Sequence, residues 1–331
     1  MSDVITVKAP ARLHLSFLDL NFGLGRKFGS IGLALNRPST KLTLSRGDGL
    51  SANGPEAARV IGFLETLCAH FKRRAAYRAV IDRAIPAHIG FGSGTQLALA
   101  TGSAFCALER LAVSASEIAR ILDRGARSGI GLGAFEGGGV VLDGGRGPDG
   151  ATPPVLSRLP FPPEWRVLLI FDTSMTGRSG HAEASAFQTL APMSEADAGA
   201  MCRLAVMQAL PCLAERDIDG FGRAIGELQR RMGDYFAPHQ GGRRFTSPRV
   251  AEVLAWLEAH GVHGLGQTSW GPTGFAFLSS SEHAHSVSEA AKKRFAHEES
   301  LRFLVCTGRN RGAQIRSGLD APRPAERVKT Q

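Results

Sequence analysis

The sequence predicts an α+β fold in two domains, and three observations carry the prediction. Strand-like and helix-like periodicities alternate irregularly along the 331 residues, without a regular βα repeat. Glycine-rich segments at 90–94 and 129–145 punctuate the first half as turns. A proline-rich stretch at 153–163 separates two portions of similar length, which sets expected domains at 1–160 and 161–310 and a basic tail at 311–331.

Residues 12–17 alternate, with Leu13, Leu15 and Phe17 on one face of a strand and Arg12, His14 and Ser16 on the other. One face can pack while the other meets a ligand. Further strands are expected at 31–35, 40–45 and 77–82, with an amphipathic helix over 55–73. A helix follows residue 94 and runs through Arg110, and Ser114 with Glu117 has capping-box spacing for another that ends near Gly125. The second half reads as a strand at 167–171, helices at 194–214, 217–231 and 247–260, a strand at 274–278, a helix at 282–296 and a strand at 301–305.

Composition narrows the function classes. At 43% hydrophobic residues the chain can bury a sizeable core, and no apolar run approaches the length that crosses a bilayer. The N-terminus lacks the basic-then-apolar pattern of a secretory signal, so a cytoplasmic protein is expected. Five scattered cysteines, Cys68, Cys106, Cys202, Cys212 and Cys306, read as free thiols, and no His/Cys set has zinc-ligand spacing. The formal charge of +9 owes much to Arg309, Arg311, Arg316, Arg323, Arg327 and Lys329 near the end. No nucleic-acid-binding signature accompanies it, so an anionic small molecule is the expected partner rather than nucleic acid or membrane. A homodimer is the base-rate expectation.

The segment from Pro86 to Gln96 carries the most chemistry. Gly90, Gly92 and Gly94 let backbone amides approach an anion, the following helix supplies unpaired N–H donors, and Ser93, Thr95 and Gln96 add side-chain donors. A tight strand-to-helix turn would use the same glycines without a ligand.

Three ordered segments resemble the motifs of the GHMP kinases. Ala9 to Leu15 is similar to their N-terminal substrate-side strand, Pro86 to Gln96 to their second, phosphate-loop motif, and Gly266 to Gly274 to their third, Gly-rich motif. The resemblance implies a ribosomal protein S5 domain 2-like N-terminal domain, a ferredoxin-like C-terminal domain and a site in the cleft between them. The departures are equally informative. Arg12 stands where many of these kinases have a lysine, Gly94-Thr95-Gln96 where they have Ser-Ser-Ala, and Ser128-Gly129-Ile130-Gly131 where they have Ser-Gly-x-Asp, so the expected catalytic aspartate is a glycine.

Those variants resemble the β-ribofuranosylaminobenzene 5′-phosphate synthases. The resemblance implies condensation of phosphoribosyl pyrophosphate with 4-aminobenzoate, release of pyrophosphate and CO2, and a C-glycoside product used in tetrahydromethanopterin biosynthesis. 4-Hydroxybenzoate is the alternative acceptor, since either ring can donate electrons to the reacting carbon. Magnesium is the expected cofactor, with no pyridoxal phosphate, nicotinamide or flavin. An ATP-dependent small-molecule kinase and a noncatalytic anion-binding or nucleic-acid-binding protein are the rival readings.

On that reading Arg12, His14, Ser16 and the 90–96 loop are candidates to hold phosphate or pyrophosphate. Asp19, Arg26 and Lys27 form a polar loop after the ligand-facing strand. There Asp19 is a candidate to hold magnesium or face the developing cation, and Arg26 and Lys27 to bind an anion. Arg178 and Ser179 form a second anion candidate, with His181 beside them for proton transfer. Glu136 is a further metal candidate. Thr268, Ser269 and Trp270 are assigned to the aromatic substrate, Trp270 either stacking on its ring or wedging the domains apart.

Overall fold

The computed structural model describes residues 4–177, 187 and 189–318. Two antiparallel-rich sheets organise the chain. The first is seven-stranded and is built on a long hairpin, β1 (Val4–Asp19) against β2 (Phe28–Arg46). Register shifts at Pro10/Ala11 and His14/Ser16 bend β1. Its early residues Ile5, Val7 and Ala9 pack in one core with helices α1 (Ala57–His70) and α2 (Ser93–Glu109). Its later residues Leu13, Leu15 and Phe17 enter a different core that includes the second half of the chain.

β2 also pairs with β4 (Tyr77–Arg83) and β5 (Val140–Asp143), while β3 (Ser51–Asn53) joins β4 and β6 (Val155–Leu159) joins β5. Two short helices, α3 (Ala115–Ile121) and α4 (Ile130–Glu136), complete this layer. The expected cap at α3 is present, with Ser114 Oγ accepting from Glu117 N at 3.1 Å.

The second sheet has the order β10 (Leu301–Cys306), β7 (Arg166–Asp172), β9 (Thr273–Leu278), β8 (Leu265–Gln267). Residues alternate across it as a two-sided sheet requires. Val167, Leu169, Phe275 and Phe277 share a core with Phe221, Ile225 and Leu228 of a long amphipathic helix, whereas Leu168, Ile170, Ala276 and Leu278 pack with Val250, Val253, Leu254 and Leu257.

The helix expected over 194–214 is interrupted. It runs as α5 (Glu195–Leu204), a π-helical turn (Ala205–Ala209) and α6 (Leu210–Glu215). Pro211 lacks the N–H that a continuous α-helix needs, and the widened turn accommodates it. Asp217 caps α7 (Ile218–Phe236), which runs beyond the expected end at 231. α8 (Pro248–Ala259) and α9 (Ser281–Arg294) complete the second layer.

The halves are less separate than the prolines suggest. Phe161 and Trp165 lie in the core that Leu33, Leu35 and Phe221 share. After β10 the chain returns to the first sheet, where Asn36 and Thr307 exchange hydrogen bonds and β11 (Gln314–Ser317) pairs with β1 from Lys8↔Gln314 to Ile5↔Ser317. Part of the segment expected as a tail is therefore an edge strand, and Arg309 is buried with its guanidinium on the Gly312 carbonyl. None of the β11 side chains is fully buried, which removes the apolar alternation that marks a strand in sequence.

No helix among the described residues is long and apolar enough to cross a membrane. The five cysteines are free.

Candidate functional site

The three motif-like segments singled out in the sequence converge through Gly90 and Thr268. Gly90 has φ +90°, and a Cβ there would lie 2.2 Å from the Thr268 carbonyl, so only glycine allows this approach. The Thr268 hydroxyl donates to the Gly90 carbonyl at 2.9 Å and accepts from the His14 backbone N–H at 3.0 Å. The Arg12 guanidinium donates to the same Gly90 carbonyl. A strand near residue 12, a loop near 90 and a turn near 268 are thus fastened at one point.

Beyond that point lies a cleft of about 600 Å³, a size suited to a small-molecule substrate. Gly92, Ser93, Gly94 and Thr95 line it at the N-terminus of α2. Gly92 is in the left-handed region at φ 71° and no described side chain caps the helix, so the first-turn N–H groups and the positive end of the dipole face the cleft uncapped. Arg12, Arg59, Arg124 and Arg127 line the same cleft together with His88, against a single carboxylate among the described residues, Asp123. Burial, then the neighbouring Arg59, lowers the Arg124 pKa, with Asp123 opposing. The lining of this cleft is therefore predominantly cationic.

A second, smaller pocket of about 30 Å³ adjoins it, and the two share His14, Phe17, Ser269 and Trp270. Phe187, Met232 and Phe236 supply its apolar wall, with Ser16, Gln229 and Gln267 on its polar side. Phe187 lies 4.8 Å from Trp270 at 31°, edge-on to Phe17 at 5.6 Å, to Phe28 at 5.5 Å and to Phe236 at 5.9 Å. The Arg127 guanidinium sits 5.6 Å from the Phe187 centroid and so touches both the cationic cleft and the aromatic cage.

His14 is 4% exposed, and its Nε2 has no hydrogen-bond partner among the described residues. Burial first, then Arg12 and Arg127, holds its pKa well below 6.5, so the ring is neutral. The Trp270 indole N–H is likewise buried without a partner.

A buried carboxylate organises the wall of the cleft. Asp143 Oδ2 accepts from Ser30 Oγ at 2.8 Å, Ser128 Oγ at 3.2 Å and Gly129 N at 2.9 Å, while Oδ1 accepts from Gly145 N at 2.9 Å. It thereby fixes the Ser128-Gly129 turn beside Arg127. At Gly131, where the kinase motif has aspartate, a Cβ would lie 3.1 Å from Thr95 Cγ2.

The structure gathers Arg12, His14, Gly90, Gly92, Ser93, Gly94, Thr95, Ser269 and Trp270 around the cleft, and Ser16 in the adjoining pocket. Gln96 is placed differently from the expectation. It is fully buried and donates to the Gly131 carbonyl at 2.7 Å, tying α2 to α4 behind the cleft. Thr268 is also fully buried and serves the backbone junction, with no surface left for a substrate ring.

The loop after β1 stands apart from both cavities. Asp19 Oδ1 accepts from Asn21 N at 2.8 Å and closes a local turn. Arg26 is committed to the Gly144 and Gly145 carbonyls at 2.7 and 2.8 Å, and Lys27 Nζ lies 5.2 Å from the Phe22 ring. Glu136 is exposed at the end of α4 and lines neither cavity. Arg178, Ser179 and His181 lie outside the described residues. No cluster of three or more His, Cys, Asp or Glu suited to a metal occurs among the described residues.

Sequence reasoning missed Arg59, Arg124, Arg127 and Phe187. The available signal was Arg124 and Arg127 flanking a glycine just before the altered Ser128-Gly129-Ile130-Gly131 motif.

Comparisons with known proteins agree with this architecture. The family models described as "GHMP kinases N terminal domain" and "GHMP kinases C terminal" match residues 58–139 and 209–297. A curated protein of Archaeoglobus fulgidus named "Beta-ribofuranosylphenol 5'-phosphate synthase" is 31% identical over 326 residues, covering 94% of this chain and 99% of its own length. A protein of the same name from Methanothermobacter thermautotrophicus is 29% identical and covers 93% and 98%. A crystal structure of homoserine kinase from Cytophaga hutchinsonii superposes with a TM-score of 0.66 at 19% identity, covering 95% of this chain and 98% of that one, a likeness of fold.

Proposed function

The chain belongs to the β-ribofuranosylphenol 5′-phosphate synthase family, on a GHMP-kinase fold, and from that premise we propose that it condenses 5-phosphoribosyl 1-pyrophosphate with a para-substituted benzoate. Pyrophosphate and CO2 leave, and a β-C-ribosyl arene 5′-phosphate for tetrahydromethanopterin biosynthesis is formed. The relatives are named for a ribosyl phenol, the product 4-hydroxybenzoate would give, whereas 4-aminobenzoate would give the aminobenzene. Both rings push electrons to the carbon that carries the carboxylate.

One observation carries this reading: a cationic cleft and an aromatic pocket share His14, Phe17, Ser269 and Trp270 at their junction. Such a junction suits a reaction that joins a polyanionic donor to an arene. In the proposed sequence the anomeric C–O bond breaks, and its electron pair leaves with pyrophosphate. The ring carbon bearing the carboxylate then bonds to the anomeric carbon. Cleavage of the bond to the carboxylate returns its electron pair to the ring, restores aromaticity and releases CO2.

The group lost from the ring is CO2 and not a proton, so this chemistry needs no general base at the ring carbon. A glycine at 131 in place of the kinase aspartate is consistent with that economy. Arg12, Arg59, Arg124, Arg127 and the α2 N-terminus are assigned to the phosphate groups of the donor, where fixed donors stabilise the departing charge without reorganising. The neutral His14 ring faces the ribosyl cation without adding positive charge.

Magnesium, when bound, would screen the pyrophosphate charge. With Asp123 as the one carboxylate lining the described cleft, the donor set suits a metal carried in by pyrophosphate oxygens better than one held by the protein.

The test supplies purified protein with magnesium, the pyrophosphate donor and each acceptor labelled in its carboxyl group. Release of labelled CO2 that needs both substrates, with the ribosyl arene phosphate found by mass, supports the proposal. ATP consumed against small alcohols with no CO2 release would overturn it in favour of a kinase.

A further inference from the structure

The aromatic pocket has free space for about one water, yet its walls form a ring-sized cage already filled by Phe187. One face of that phenyl lies against Trp270, Phe17, Phe28 and Phe236 meet it edge-on, and the Arg127 guanidinium lies near it. These contacts are those an aromatic acid would be given by a binding site.

The occupant matches the cage in shape but not in polarity. Most polar groups on the wall are engaged. Gln229 donates to the Leu15 carbonyl and accepts from Gln267 N. Gln267 accepts from Thr246 N and donates to Gln240. Ser16 donates to the Phe17 carbonyl, and Arg244 is paired with Asp234. Among the described residues, the two buried polar atoms of the wall left without a partner are His14 Nε2 and Trp270 Nε1. A phenyl ring can bond to neither. A benzene ring carrying a carboxylate and a hydroxyl or amino group puts the same ring in the cage and adds both an acceptor and a donor.

We propose that the cage holding Phe187 is the ring site of the benzoate acceptor, and that the acceptor enters by displacing the Phe187 side chain. The identity of the ring rests on the condensation proposed above. Phe187 thereby acts as an intramolecular competitor that keeps the pocket dry until an acceptor arrives.

Binding of 4-hydroxybenzoate and 4-aminobenzoate is measured by titration calorimetry on the wild type, Phe187→Ala and Phe187→Leu, each checked for a native-like melt. Removing a competitor that holds the site most of the time raises apparent affinity by the reciprocal of the open fraction, so Phe187→Ala is expected to bind about tenfold more tightly, with Phe187→Leu between. In the wild type, saturating acceptor is expected to speed chymotryptic cleavage after Phe187, read by mass. Unchanged or weaker binding in both variants, or protection of Phe187, would overturn displacement and make the ring a fixed wall. The CO2-release assay separates the two readings. Tighter binding without product formation leaves the cage standing and removes the reaction, whereas product formation without tighter binding does the reverse.

Discussion

The backbone N–H of His14 donates to the hydroxyl of Thr268 at 3.0 Å, in the buried contact that joins the first strand to the last glycine-rich turn. Because the same hydroxyl donates to Gly90, an isosteric Thr268→Val change leaves a buried N–H and a carbonyl each short of a bond. It is expected to cost about 1–3 kcal/mol in urea unfolding and to raise KM for the pyrophosphate donor. Thr268→Ser, which keeps the hydroxyl, is expected to restore both.

Arg59, from α1, and Arg124 with Arg127, from the loop between α3 and α4, line the cleft proposed to hold the donor. Arg124→Gln is expected to raise KM for the donor by roughly 10–100-fold, the equivalent of one charge-assisted hydrogen bond. KM for the aromatic acceptor should stay within a few-fold of wild type. A larger effect on the acceptor would place Arg124 at the wrong substrate.

Gly131→Asp puts a carboxylate into the cleft and presses on Thr95. The expected result is loss of donor binding, by the steric contact and by repulsion of a polyanion. Calorimetry with inorganic pyrophosphate checks this without relying on turnover.

His14 gives the fold a pH dependence of defined sign. Its folded pKa lies well below 6.5, so below about pH 6.5 the unfolded chain takes up a proton that the folded chain refuses. Stability is fully present above that pH and is lost as pH falls toward the folded value, by about 1.4 kcal/mol per unit at the steepest. Urea unfolding from pH 7 to 5 is expected to slope less steeply in His14→Phe. Equal slopes would mean that other groups carry the acid sensitivity.

Asp143 accepts four hydrogen bonds, all from donors. Asparagine would turn an NH2 toward at least one N–H or O–H that needs an acceptor. Asp143→Asn is therefore expected to destabilise by about 3 kcal/mol and to lower kcat through the displaced Ser128-Gly129 turn. Ser30→Ala, which removes one donor and leaves the carboxylate, should show the smaller effect.

What the sequence disclosed divides along physical lines. Gly90 and Gly92 were legible because a φ above zero beside a helix start leaves its mark in residue type. The strand face of Arg12, His14 and Ser16 was legible from period-two alternation, and the capped helix α3 from Ser114 and Glu117. Arg59 and Arg127 were not, since distant cations meet only once the fold has brought helix α1 and the loop before α4 together. The same blindness favoured Arg26, whose partners are backbone carbonyls that no sequence pattern announces. Phe187 was hidden because a phenylalanine that fills a ligand cage is, in sequence, a phenylalanine that fills a core.

The strand at Gln314–Ser317 hydrogen-bonds to residues synthesised long before it, Ile5 to Lys8. While the chain is being synthesised, that margin of the first sheet has no partner and is an open template for strand addition. Completion of the sheet must wait until the last of these residues has left the exit tunnel, which couples folding of the first layer to synthesis of a strand about three hundred residues further on. A premature stop just before Gln314 would spare every residue assigned to the two cavities and still release a protein with a sticky edge.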